Sequence, residues 1–175
     1  EGGSVTCYKK EYYDAITTLK NQGCEVRYYH DVVGYNYRLE GVQGAVLSVS
    51  LKYLPQWTKR RREIGRRYLK EITNPLITMQ AHPENTNPVF HLFVITVENP
   101  AHFIAYMEQK GMECNRHYPV PCHLQKAYAN LGYQEGDCPN AEYLASHCVT
   151  LPLFPEITEE EIAMVIEGCN GYSGV

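Results

Sequence analysis

The apolar residues Leu39, Val42, Val46, Val49 and Tyr53 step along the chain by three and four, the period of one face of an amphipathic helix. Gly41, Gly44 and Ala45 in the same stretch are small enough to let another backbone come close. Pro55 has no amide hydrogen and its ring collides with the preceding turn, so the pattern predicts a break or kink at Leu54. A second helix then opens with Pro55 in its first turn and runs to about Ile72. Upstream, residues 2–7 read as a short strand and residues 11–19 as a helix stopped by Asn21 and Gly23. Residues 25–38 keep no period and mix aromatics with His, Asp, Asn and Arg around a glycine, which predicts an ordered loop of the kind that carries function.

Beyond a surface loop at 83–88, residues 89–97 are β-branched and aromatic throughout and predict the central strand of a sheet. Asn99 as N-cap, Pro100 at the first helical position and Gly111 after Lys110 delimit a helix that buries Phe103, Ile104 and Met107. A strand over 112–116 should follow. Thr158 and Glu161 have capping-box spacing at the head of a final helix. The order predicts a small α+β layer domain. Between these elements lies the stretch His117-Tyr118-Pro119-Val120-Pro121-Cys122-His123-Leu124-Gln125, whose two prolines stiffen an extended path.

Charge narrows the function classes. Sixteen Lys+Arg stand against 20 Asp+Glu in the 175 residues, a net charge of −4, which argues against a protein that neutralises nucleic-acid phosphates over a wide surface. Lys59, Arg60, Arg61, Arg62, Arg66 and Arg67 cluster on one helix, but Glu63 and Glu71 interleave with them and predict a solvated outer face. No apolar stretch approaches 18 residues, and the first residues have neither the basic nor the apolar region of a signal peptide. The seven cysteines are odd in number and contain no CxxC, which suggests neither a disulfide framework nor a zinc site and fits a reducing cytoplasm. Fifteen tyrosines beside 4 Phe and 1 Trp suit either an interface or cleft wall, or the edge of a core.

No GxSxG, HExxH, phosphate loop or dinucleotide fingerprint is present. What stands out are the two polar-aromatic loops at 28–38 and 117–125, whose His, Tyr, Asn and Arg side chains suit a polar, anionic small molecule.

These loops also carry a resemblance. Tyr28-Tyr29-His30-Asp31-Val32-Val33-Gly34-Tyr35-Asn36-Tyr37-Arg38-Leu39, Gln43-Gly44-Ala45-Val46-Leu47, the 117–125 loop, Leu131-Gly132-Tyr133, Gly136-Asp137-Cys138-Pro139, Ala141-Glu142 and Leu151-Pro152-Leu153-Phe154-Pro155 occur in one order. Together they closely resemble the C-terminal half of the pyridoxal-phosphate sugar aminotransferases of the DegT/DnrJ/StrS family, over essentially the whole chain. The resemblance implies the C-terminal portion of an α/β, fold-type-I pyridoxal 5'-phosphate aminotransferase. Residues 1–35 would be a remnant of the large cofactor-binding domain and its sheet. Residues 36–73 would be linking helices with a break at Pro55, and 74–175 a small C-terminal α+β domain.

It further implies a cytoplasmic homodimer with shared active sites, acting neither on nucleic acid nor at a membrane. Its reaction would move an amino group from glutamate or glutamine to a keto sugar carried on a nucleotide diphosphate, for amino-sugar biosynthesis. Asn36 resembles the residue that reaches the cofactor phosphate across the dimer. His30, Arg38, Tyr118 and His123 resemble positions near the substrate. The Schiff-base lysine would lie upstream of residue 1, none of the eight lysines matches its position, and no catalytic residue is assigned to this chain. The isolated chain is expected to be inactive. The competing expectation is a non-catalytic dimerisation or ligand-binding module that complements a separate N-terminal half.

Overall fold

A computed structural model of the chain describes residues 3–174. The chain forms two compact units that meet in sequence between Leu54 and Pro55.

The first unit opens with helix α1 (Lys10–Lys20), followed by the two short antiparallel strands β1 (Cys24–Val26) and β2 (Tyr29–His30). Residues 3–7, expected as a strand, form none, and residue 2 lies outside the described residues. The stretch expected as loop is partly a hairpin, because Cys24 pairs with His30 and Val26 with Tyr29. Its remainder is fastened to the end of α1. Tyr35 N donates to Leu19 O at 2.7 Å, Tyr37 N to Lys20 O at 2.9 Å, and Gln22 N to Tyr35 O at 2.9 Å. Gly23 and Gly34 make that closeness possible: a Cβ on Gly23 would collide with the Val32 carbonyl, and one on Gly34 with the Gly23 backbone. The φ of +76° at Gly23 also belongs to the left-handed region that glycine enters freely.

Helix α2 runs from Gly41 to Glu71 with Pro55 inside it, so of the expected break or kink at Leu54 no break occurs. A proline interrupts one backbone hydrogen bond at a cost of about 3 kcal/mol. Fourteen residues before Pro55 and sixteen after it supply enough intact turns to carry the helix through.

The second unit holds the core. Strands β3 (Thr78–Met79), β4 (Phe93–Thr96) and β5 (Cys148–Leu151) form an antiparallel sheet in the order β3-β4-β5. The apolar run at 89–97 is thus central, as its composition predicts, though only four of its residues are strand. Phe93, Ile95 and Val97 alternate inward. They meet Ile64 and Tyr68 of α2, Phe103 and Met107 of α3 (Pro100–Gln109), and Ile162, Val165 and Cys169 of α5 (Glu159–Asn170) in one apolar cluster. The predicted strand at 112–116 is reduced to a single bridge between Asn115 and Thr150.

Both predicted caps are present. Asn99 Oδ1 accepts from His102 N at 3.1 Å, and Thr158 and Glu161 close a reciprocal capping box. The basic stretch of α2 departs from expectation in part: Lys59 and Arg66 face water, whereas Arg60, Arg61, Arg62 and Arg67 are half-buried and bind the fold. Arg61 donates to the carbonyls of Phe90, His91 and Leu153, each at 3.1 Å. Arg60 and Arg67 both reach Glu159 at the head of α5. Backbone carbonyls left over by irregular loops need donors, and the forked guanidinium supplies several at once.

Candidate functional site

The five residues singled out from the sequence fall into two sets, three in the first unit and two in the second. In the first unit, Asn36 sits where the loop forms an isolated bridge with Asn21 after α1. Its side chain is exposed. Arg38 Nε donates to Asn36 Oδ1 at 2.9 Å, which fixes the amide so that its Nδ2 donor points away from the guanidinium. An amide donor so oriented on an exposed loop suits a phosphate oxygen. Tyr35 and Tyr37 stack at 5.0 Å between ring centroids and stiffen the loop around Asn36.

His30 is exposed at the end of the hairpin and is held by its Nδ1, which donates to the Gln22 carbonyl at 2.8 Å and lies 3.0 Å from Cys24 Sγ. In the neutral ring this leaves Nε2 as the acceptor.

In the second unit, Tyr118 is exposed and its ring meets His117 edge-on at 5.2 Å. His117 is tied down by a 2.8 Å contact between its Nδ1 and Thr150 Oγ1. His123 belongs to a short 3-10 turn, Cys122–Leu124, and its Nε2 stands 2.9 Å from Glu142 Oε1. Glu142, in the first turn of α4 (Pro139–His147), also accepts from Gly136 N at 3.0 and 2.9 Å and from Cys138 N at 3.1 Å. These two backbone amides, and then His123, hold its carboxyl below the usual carboxylate range.

The sequence reading passed over Glu142 as a role-bearing residue although it belongs to the quoted motifs. The signal for it was an acid in the first turn of a helix opening Cys138-Pro139, where the helix dipole and free amides favour a carboxylate.

All eight lysines are solvent-exposed. A lysine that reacts with a carbonyl at neutral pH needs burial to depress its pKa, and none here has it. Among the described residues, no three His, Cys, Asp or Glu side chains gather in a way that would hold a metal ion.

The site residues thus stand on a two-unit α/β chain with small sheets, as an exposed Asn-Arg contact and a half-buried His-Glu pair. Comparison with known proteins says what kind of protein carries them. Residues 1–170 match the model of the DegT/DnrJ/EryC1/StrS aminotransferase family, and the chain belongs to that family. It is 36% identical over 171 residues to the dTDP-3-amino-3,6-dideoxy-alpha-D-galactopyranose transaminase of Aneurinibacillus thermoaerophilus, covering 98% of this chain and 47% of that protein. It is 33% identical over 174 residues to the dTDP-3-amino-3,4,6-trideoxy-alpha-D-glucose transaminase of Streptomyces venezuelae, covering 99% of this chain and 46% of that one. Among solved structures, DesV of S. venezuelae in complex with a ketimine intermediate superposes with a TM-score of 0.87 at 32% identity, over 93% of this chain and 44% of DesV. The chain spans about half the length of the curated relatives it matches.

Proposed function

We propose that this chain is the C-terminal part of a fold-type-I, pyridoxal-phosphate-dependent aminotransferase that aminates a keto sugar on a nucleotide diphosphate, with glutamate or glutamine as donor, for amino-sugar biosynthesis. In this reading the residues up to about 35 belong to the large domain, 36–73 link the domains and 74–175 make the small domain of a cytoplasmic homodimer. The observation that carries the reading is the first unit's surface. Among its described residues the one buried hydrophobic side chain is Cys24, while Tyr12, Tyr13, Tyr29, Val42, Val46 and Val49 are all exposed. Apolar surface on that scale marks an interface, and the missing half of such an enzyme and a second subunit are what would cover it.

The residues present fit one end of the cofactor. Asn36 Nδ2, its amide oriented by Arg38 Nε at Oδ1, is a donor for its phosphate, whereas the exposed lysines do not fit its aldehyde. Pyridoxal phosphate, when bound, supplies the electron sink that makes the amino-group transfer feasible. This chain's contribution is binding and orientation: Asn36 anchors the phosphate, and His30, Arg38, Tyr118 and His123 hold the sugar nucleotide through hydrogen bonds and charge.

Two measurements test the reading. The chain incubated with pyridoxal phosphate and then borohydride should show no cofactor mass fixed to any lysine; a stoichiometric adduct at one lysine would overturn the assignment of no catalytic residue. In the longer enzyme, Asn36→Ala should loosen the cofactor about 10- to 100-fold, the value of one hydrogen bond to a charged group, read as loss of absorbance on dialysis. Unchanged retention would remove Asn36 from the phosphate site.

A further inference from the structure

Glu142 gathers three donors, from the turn at 122–124 and the turn at 136–138, onto one carboxylate. Oε1 meets Gly136 N, Cys138 N and His123 Nε2, and Oε2 meets Gly136 N again. An ionised carboxylate only accepts, so His123 donates from Nε2, and in the neutral ring the lone pair is left on Nδ1. Nδ1 has no hydrogen-bond partner among the described residues. The His123 side chain is only 9% exposed, so these contacts and not solvent set its orientation. Tyr133, on the turn that Gly136 and Cys138 help to close, meets the imidazole edge-on at 6.2 Å. One carboxylate therefore fixes both the ring and the turn it packs against.

We propose that Glu142 is a positioning residue: it holds His123 as the Nε2–H tautomer and leaves Nδ1 to accept a hydroxyl of the sugar nucleotide. The inference rests on the reading of His123 as a substrate residue. Both Glu142 oxygens accept from Gly136 N, so glutamine at 142 would set its NH2 group against that donor in either orientation, and Glu142→Gln disturbs the cluster with little change of shape.

Nitrogen-15 NMR of the chain should show His123 protonated at Nε2, and E142Q should mix the tautomers and speed exchange of the Gly136 and Cys138 amides about tenfold or more. In the longer enzyme, E142Q should raise the KM for the sugar nucleotide about tenfold with kcat within about twofold. Ser146→Ala serves as control, because Ser146 Oγ bonds the Glu142 main-chain carbonyl and not its carboxylate; it should leave all three readouts unchanged. An unchanged His123 signature in E142Q overturns the proposal, as does an unchanged KM in E142Q where His123→Asn raises it. If His123→Asn itself leaves KM unchanged, the substrate role of His123 fails, and the tautomer still decides whether Glu142 positions the ring. Should E142Q fail to fold, the wild-type spectrum decides alone: protonation at Nε2 supports the proposal and protonation at Nδ1 overturns it.

Discussion

Two glycines on the same helix show how a single residue's neighbours set the sign of a substitution. A Cβ on Gly65 would press into the ring of Phe90, which is itself packed against Phe93 at 5.7 Å and His82 at 5.2 Å. Gly44 has Leu39 Cδ2 at 3.8 Å as its nearest neighbour, an ordinary contact. Alanine gains about 1 kcal/mol over glycine in a helix, and overpacking a core costs about 1–3 kcal/mol. Gly65→Ala should therefore lower stability by about 1 kcal/mol, while Gly44→Ala should leave it unchanged or raise it by up to about 1 kcal/mol. Urea denaturation of the two variants separates them; equal midpoints would show that the Phe90 ring moves aside freely. Both glycines look alike in a helical pattern, and no local rule distinguishes them.

At the scale of elements, the helix ends were legible because capping is chemistry between near neighbours. Thr158 accepts from Glu161 N at 3.2 Å and its own amide donates to Glu161 Oε2 at 2.8 Å. Thr158→Ala should cost about 1 kcal/mol, measured as a lower thermal midpoint of the second unit; no change would mean that packing alone sets the start of α5.

The ties between α2 and α5 are of another kind. Arg60 and Arg67 hold the Glu159 carboxyl below its ordinary value near 4.5, with the Arg60 hydrogen bond the larger cause. Arg67 does the same for Glu71 within α2. A carboxyl whose folded pKa is depressed contributes stability above its unfolded pKa and loses it as pH falls through the folded value. Stability should thus hold flat from neutral pH to about 4.5 as far as these groups are concerned and decline below it. Glu159→Gln should flatten that decline in a pH titration followed by circular dichroism; an identical acid limb would remove the pair from the account. The sequence shows the charges of this network but not the partner of Arg60, because residues 60 and 159 are brought together by the tertiary fold.

Over the whole molecule, burial is concentrated in one unit. Cys114 and Cys169 lie in its core and burial pushes both thiols up to about 12, so at pH 8 neither forms appreciable thiolate. Cys122 is exposed. Iodoacetamide at pH 8 should therefore label Cys122 first, and Cys114 and Cys169 only after denaturant unfolds the second unit. Early labelling of Cys169, read by mass spectrometry, would show that the core opens locally.

What the sequence determined by itself was whatever depends on neighbours along the chain. It specified the helical period of α2, the caps at Asn99 and Thr158, the apolar run that becomes β4, and the collinear motifs that carry the family. The helix continues past Pro55 without a break because one lost hydrogen bond is weighed against a whole helix, a sum that no local rule performs. Only the tertiary structure decided that Arg60, Arg61 and Arg62 of α2 reach carbonyls, that residues 112–116 keep a single bridge, and that Glu142 fixes His123. Each of these turns on groups far apart in the sequence, and a donor's choice of acceptor is settled by which unsatisfied groups the fold places within about 3 Å of it.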